Sequence, residues 1–269
     1  MPSRTSLPFD PEAIRPWRLG SGPRAAVLLH GFAGTPPELR RLGEHLATLG
    51  WRIEAPLLAG HGTTPEDFAR THWQDWARSA AEAVDRVAAE CDRVVVAGQS
   101  MGGALALHLA AHDTRIATIA TLAAPIWLTD WRLKIIFAAK YVQRWHTPDP
   151  NDVDLYNPEA VEELHSYGRR STSSIHELTR LLRAVRGELA MVRQPVLLLQ
   201  GGRDRTVDPR NAADIARRLV CSSEVEVGIY PRSGHAMSVD VDREELNTRI
   251  AAWFERHVPL EGEARTQVG

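Results

Sequence analysis

"VVVAGQSMGGALALHLAA", residues 94–111, passes from one kind of chain to another with almost no spacer. Val94 to Val96 is a β-branched run, the composition of a buried strand. From Ala104 onward the stretch is rich in Ala and Leu, which favour helix. Between the two, Gly98-Gln99-Ser100-Met101-Gly102 fits G-x-S-x-G. A strand that turns at once into a helix holds its turning residue in a strained backbone, and a Cβ at either glycine would collide with the neighbouring helix or strand. The turn lifts Ser100 Oγ above the sheet, and the free N–H groups of the next helix favour negative charge there. The glycines thus let a serine stand exposed where an oxyanion can form.

Outward from this turn, short apolar runs alternate with helical patterns. "AAVLLH" (25–30), "WRIEA" (51–55), "RIATIATLAAP" (115–125), "PVLLLQG" (195–201) and "EVEVGIY" (224–230) read as strands. "PPELRRLGEHLATLG", closed by Gly50, reads as a helix, as do "DFARTHWQDWARSAAEAVDRVAAE", "GALALHLAAH", "DPRNAADIARRL" and "EELNTRIAAWFERHV". Asp208 is placed at a helix N-cap with Pro209 at the first helical position. Such alternation predicts an α/β fold with a parallel, doubly wound sheet and right-handed crossovers. Residues 126–189 break the pattern: no strand-like run is read there, loop signals stand at "TPDPND" and "YNPE", and Ser174 with Glu177 forms a capping box before "LTRLLRAV". The segment is expected to be a helical cap over the strand ends. The core is then 1–125 and 190–258, with 259–269 a frayed, flexible tail.

Composition narrows the function classes. A chain of 269 residues with 43% hydrophobic and 25% charged residues supports a sizeable core. A net charge of -2 gives no reason to expect nucleic acid or an anionic membrane as partner. Only two lysines occur among 32 basic residues, Lys134 and Lys140, both inside the insertion. Neither of the two cysteines, Cys91 and Cys221, has a CxxC neighbour, which favours a reduced, cytoplasmic setting. The first residues carry no apolar leader, and no run is long enough to span a bilayer. No H-x-x-x-H or carboxylate cluster is read as a metal site, so neither a metal nor a cofactor is expected.

A serine hydroxyl needs a base. His108, His112, His146, His165 and His176 fall in helices or in the insertion, and His257 lies in the terminal helix. His235, in "YPRSGHAMSVD" directly after a strand, is left as the base. The acid that orients it should follow an earlier strand, and "LLLQGGRDRTVDP" offers Asp204 and Asp208. Helix capping explains Asp208, so Asp204 is preferred. Two backbone N–H groups should receive the oxyanion, that of Met101 after the nucleophile and that of Phe32 in "LLHGFAG". His30 and His61 read as structural. Trp127 is a candidate for lining an acyl channel, and Trp131, Tyr141, Trp145 and Tyr156 either cover the pocket or fill the cap.

These pieces, with "LLHGFAGTPPELRRLGEHLATLGW", "APLLAGHGTTPEDF", "VVVAGQSMGG", "LAAPIW", "LLLQGGRDRTVDP" and "SGHAMSVD", make the chain resemble the α/β-hydrolase carboxylesterases, especially small bacterial monoacylglycerol lipases and thermostable carboxylesterases. The resemblance implies an α/β-hydrolase fold with Ser100, Asp204 and His235 as triad and Phe32 and Met101 as oxyanion donors. The expected activity is hydrolysis of short- to medium-chain monoacyl esters through an acyl-enzyme. A thioesterase, peptidase, acyltransferase or perhydrolase would use the same triad, and a non-catalytic binder would have no need of it. Dehalogenases and epoxide hydrolases are disfavoured, because they need a carboxylate where Ser100 stands.

Overall fold

A computed structural model describes residues 12–129, 145–147, 154–164 and 169–260. Seven strands form one sheet: β1 (Trp17–Leu19), β2 (Arg24–Leu29), β3 (Trp51–Ala55), β4 (Arg93–Gln99), β5 (Ile116–Leu122), β8 (Val196–Gly201) and β9 (Val225–Tyr230). Their order is β1-β3-β2-β4-β5-β8-β9, so β4 is central. Every pair is parallel except β1 with β3. Two-residue β6 (Trp145–His146) and β7 (Arg170–Ser171) pair separately inside the insertion.

Side-chain alternation sorts the core into two layers. Ala25, Val27, Leu29, Val94 and Val96 face one layer, covered by α3 (Trp73–Ala88), α4 (Met101–His112), α5 (Thr172–Glu188) and α6 (Arg210–Arg218). Ala26, Leu28, Val95 and Ala97 face the other, covered by α1 (Arg40–Thr48) and α7 (Arg243–His257). Helix α4 is apolar on nearly all sides and almost wholly buried, as a central helix must be. Helix α5 sends Leu178, Leu181, Leu182 and Val185 into the same layer.

The sequence reading needs five local corrections. Strand β1 was missed, because three half-exposed residues at a sheet edge leave no apolar run. The pattern over 67–90 is two helices, α2 (Pro65–Phe68), capped by the Thr64 side chain, and α3, separated by the turn at 69–72. The insertion does contain strand pairing, at β6 and β7. Its last helix is capped three residues earlier than read: Ser171 Oγ accepts the Ser174 N–H at 3.0 Å, and Glu177 instead pairs with Arg180 and the Trp73 N–H. Helix α6 begins at Arg210 after Pro209, although Asp208 Oδ1 still accepts the Arg210 N–H at 2.9 Å. Trp131, Tyr141, Lys134, Lys140 and the 261–269 part of the tail lie outside the described residues.

The turn after β4 sets tight steric limits on backbone atoms. A Cβ on Gly98 would strike the Gly102 backbone, and one on Gly102 would strike the Leu29 carbonyl. A Cβ on Gly187, near the end of α5, would meet nothing. Gly98→Ala and Gly102→Ala should therefore destabilise the fold by about 1–3 kcal/mol or more. Gly187→Ala should stabilise it by about 0.4–1 kcal/mol, by reducing the freedom of the unfolded chain. Denaturant midpoints of the three variants check this ordering.

Candidate active site

The C-terminal ends of the parallel strands bring the chemical groups together, as open α/β sheets do. Ser100 follows β4, Asp204 follows β8, His235 follows β9, and Gly31-Phe32 follows β2. Among the described residues, three that are not glycine have positive φ, and each follows the C-terminal end of a central strand: Ala33 at 59° after β2, Ser100 at 55° after β4 and Ala123 at 51° after β5. Each is held in a conformation that costs of order 1–3 kcal/mol. Ser100 is fixed from both sides, its N–H donating to the Leu122 carbonyl at 2.7 Å and its carbonyl accepting from Ala104 at 3.1 Å.

His235 Nε2 lies 3.0 Å from Ser100 Oγ, and Nδ1 lies 2.9 Å from Asp204 Oδ2. With Asp204 ionised, Nδ1 carries the proton and Nε2 accepts from the serine hydroxyl. Asp204 is almost completely buried, and its other bonds hold it in one orientation. Gln200 Nε2 donates to Oδ2 at 2.9 Å, while the N–H groups of Thr206 and Val207 donate to Oδ1 at 2.9 and 2.7 Å. Burial disfavours the carboxylate, but these donors and the His235 charge outweigh it and hold Asp204 below its ordinary range. Burial likewise disfavours the imidazolium, yet the hydrogen bond and charge of Asp204, with the charges of Asp154 and Glu38, raise His235 above 6.5. Asp208 stays at the start of α6, bound to the Arg210 guanidinium and N–H.

Met101 is the first residue of α4, where helix N–H groups lack intrahelical partners. Phe32 follows Gly31, whose N–H donates to the buried Glu38 carboxyl. Burial pushes Glu38 up to about 7, against the Gly31 bond and the His235 charge. His30 Nε2 accepts the Leu58 N–H at 3.1 Å and Nδ1 donates to the Gly31 carbonyl at 3.0 Å, while burial drives the ring down to about 4. His61, buried against the His30 ring, is also held well below 6.5 by burial. Both are neutral structural histidines. Trp127 is tied to α6: its indole N–H donates to Asp214 at 2.7 Å, and its backbone N–H to Asn211 at 3.2 Å. Trp145 lies under Arg169 and Tyr156 under Arg203.

Sequence reasoning passed over the residues that fix this geometry. Gln99 Nε2 donates to the His235 carbonyl at 2.7 Å. Gln99 and Gln200 each end an apolar strand run, and a glutamine buried there was the available signal. Asp154, which lies between the two loop signals of the insertion and carries no reading of its own from sequence, joins two site loops. Its Oδ2 accepts from the N–H of Arg205 at 2.7 Å and from the N–H and hydroxyl of Thr206 at 2.8 Å each. Its carbonyl accepts from His235 N–H at 3.0 Å and Ala236 N–H at 3.2 Å. Asp240, fully buried, accepts from Gly234 N–H at 2.7 Å and Tyr156 N–H at 2.9 Å. A further miss lies away from this site: His108 and His112 do have H-x-x-x-H spacing, and Glu188 meets them.

Comparison with known proteins identifies the family. The family model Hydrolase_4, described as serine aminopeptidase S33, matches residues 21–242. The chain is 33% identical over 245 residues to a thermostable monoacylglycerol lipase of Bacillus sp. (strain H-257), covering 90% of this chain and 94% of that one. It is 23% identical over 246 residues to a carboxylesterase of Bacillus subtilis (strain 168), covering 90% and 96%. A solved structure from work on the metagenome-derived lipolytic enzymes LipS and LipT superimposes with a TM-score of 0.85 at 26% identity, covering 91% of this chain and 98% of that one.

The His235 environment can be tested directly. Followed by imidazole NMR, His235 should titrate with a midpoint above 6.5 in the wild type. Asp154→Asn removes one of the charges that raise it, so the midpoint should fall, whereas Asp208→Asn should leave it in place. An unchanged midpoint in Asp154→Asn would contradict this electrostatic picture. With its strand order, strained serine turn and matching family model, the chain belongs to the Hydrolase_4 family of α/β-hydrolases.

Proposed function

We propose that the protein is a serine ester hydrolase acting on short- to medium-chain monoacyl esters, monoacylglycerols among them. The observation that carries the reading is the continuous hydrogen-bonded line from Ser100 Oγ through His235 to Asp204, set at a strained strand-to-helix turn. In this mechanism His235 Nε2 takes the hydroxyl proton as Ser100 Oγ attacks the ester carbonyl. Asp204 holds the ring in the Nδ1–H tautomer and stabilises the imidazolium. The N–H groups of Phe32 and Met101 receive the oxyanion. His235 then protonates the leaving alcohol, and a water molecule activated by the same nitrogen releases the acid and restores the serine.

Residues 126–189 are assigned as the cap, with α5 as its anchor on the core and Trp127 as a wall beside α6. The two curated relatives, a monoacylglycerol lipase and a carboxylesterase, support the ester class. Two cysteines outside any disulfide, Cys91 buried and Cys221 exposed, favour a cytoplasmic setting, and the monoacylglycerol lipase relative supports a role in lipid metabolism there. No helix among the described residues is long and apolar enough to cross a membrane. The family description keeps one second reading, cleavage of an amino-terminal peptide bond by the same residues.

A matched panel separates these readings. Monoacylglycerols and simple acyl esters of graded chain length should give the highest kcat/KM. Triacylglycerols should be turned over more slowly, because three acyl chains do not fit under a closed cap. Aminoacyl amides should be poorer still, since the amine is the worse leaving group. Amides above esters would transfer the assignment to the peptidase reading, and equal rates on mono- and triacyl esters would remove the cap as a specificity element.

A further inference from the structure

Helix α4 carries two histidines on one face, far from its catalytic end. His108 and His112 are four residues apart, the spacing that places side chains one above the other on a helix. Glu188, the last residue of α5, reaches both: its Oε2 lies 2.7 Å from His108 Nδ1 and its Oε1 lies 3.3 Å from His112 Nε2. The donor atoms of the three side chains all lie within 4.8 Å of one another. The Trp73 ring meets His108 edge-on, with centroids 5.5 Å apart, and so limits the rotation of that imidazole.

We propose that His108, His112 and Glu188 form a binding site for one divalent transition-metal ion of the zinc class, separate from the ester-cleaving site. Two imidazoles and a carboxylate are a donor set that suits zinc, whereas magnesium and calcium prefer oxygen ligands. A tetrahedral zinc ion with bonds of about 2.1 Å separates its ligands by about 3.4 Å. The His112 contact to Glu188, at 3.3 Å, is already near that spacing, and the His108 contact, at 2.7 Å, is a hydrogen bond that would lengthen as the ion enters. His112 is half exposed, so rotation of its ring closes the remaining gap.

The surroundings leave room for further ligands. His108 and His112 border a surface cleft of about 450 Å³, which would admit water to the open coordination positions. The cations of that cleft are neutralised by their own partners, Arg78 by Asp75, and Arg115 by Asp85 and Asp113. For binding, the His108 ring proton has to reside on Nε2 so that Nδ1 offers its lone pair, and Glu188 exchanges its hydrogen bonds for a metal bond. The ion would pin the C-terminal end of α4 to the C-terminal end of α5. His108 lies about 12 Å along the helix axis from Ser100, so the consequence is stability rather than chemistry.

The test is calorimetric titration of chelator-treated full-length enzyme with zinc chloride, with magnesium chloride as control. Wild-type enzyme should bind one zinc ion at this site and gain in thermal midpoint, and magnesium should do neither. His112→Ala and Glu188→Gln should each weaken that binding by more than the roughly 10–100-fold that loss of an outer-shell partner costs. Both variants should keep Ser100 labelling by a fluorophosphonate, which reports that they are folded. Zinc stoichiometry and affinity unchanged in both variants, or no zinc binding by wild type, would overturn the proposal.

Discussion

A chain passes from strand β4 into helix α4 without a spacer only if the turning residue takes a left-handed backbone and two flanking positions carry no side chain. Ser100 has φ 55° and ψ −116°. Gly98 and Gly102 leave room for the close approach of α4 to the ends of β2 and β4. The strain is held by the surrounding sheet, since the Ser100 N–H donates to Leu122 of the neighbouring strand. That one constraint raises the serine above the sheet and points a helix N-terminus at the same place. Because β4 is also the central strand, the loops after β2, β8 and β9 converge around the serine.

The convergence depends on buried polar side chains more than on apolar contact. Asp204 accepts three hydrogen bonds, from Gln200, Thr206 and Val207, which fix it for the fourth, from His235. Gln99 ties the strand that bears the serine to the loop that bears the histidine. Asp154 ties residues of the insertion to both the acid loop and the histidine loop. A site built from four separate strand ends gains its registration from such cross-links, because each buried polar group is costly unless paired in this one arrangement. They also set the electrostatics: carboxylates near His235 overcome the desolvation that would otherwise keep its ring uncharged.

Sequence made the fold legible where its pattern was periodic. The alternating strands of the centre and the apolar helix after Ser100 follow directly from composition, and the G-x-S-x-G turn locates the serine. Asp204 could be chosen over Asp208 because helix capping explained only the latter, and the structure places Asp208 against Arg210. Elements without a run to read escaped: β1 has three residues, and β6 and β7 have two each. The roles of Gln99, Asp154 and Asp240 escaped for another reason. Apart from Gly234, six residues from Asp240, the partners named for them lie 51 to 139 residues away in the chain, and a single sequence does not display such pairings. The His108–His112 spacing was visible, but Glu188, 80 residues from His108, is what gives it chemical meaning.

Covalent labelling addresses the central claim, that Ser100 is the nucleophile held by this turn. The protein and its Ser100→Ala variant would be treated with a fluorophosphonate and read by intact mass and peptide mapping, with circular dichroism to compare their folds. The expected result is one adduct per wild-type chain on the peptide containing Ser100. The variant should carry none, with ester turnover reduced on the order of 10⁴-fold or more and an unchanged fold. A variant that is folded and still labels, or that retains ester turnover near the wild-type rate, would contradict the claim.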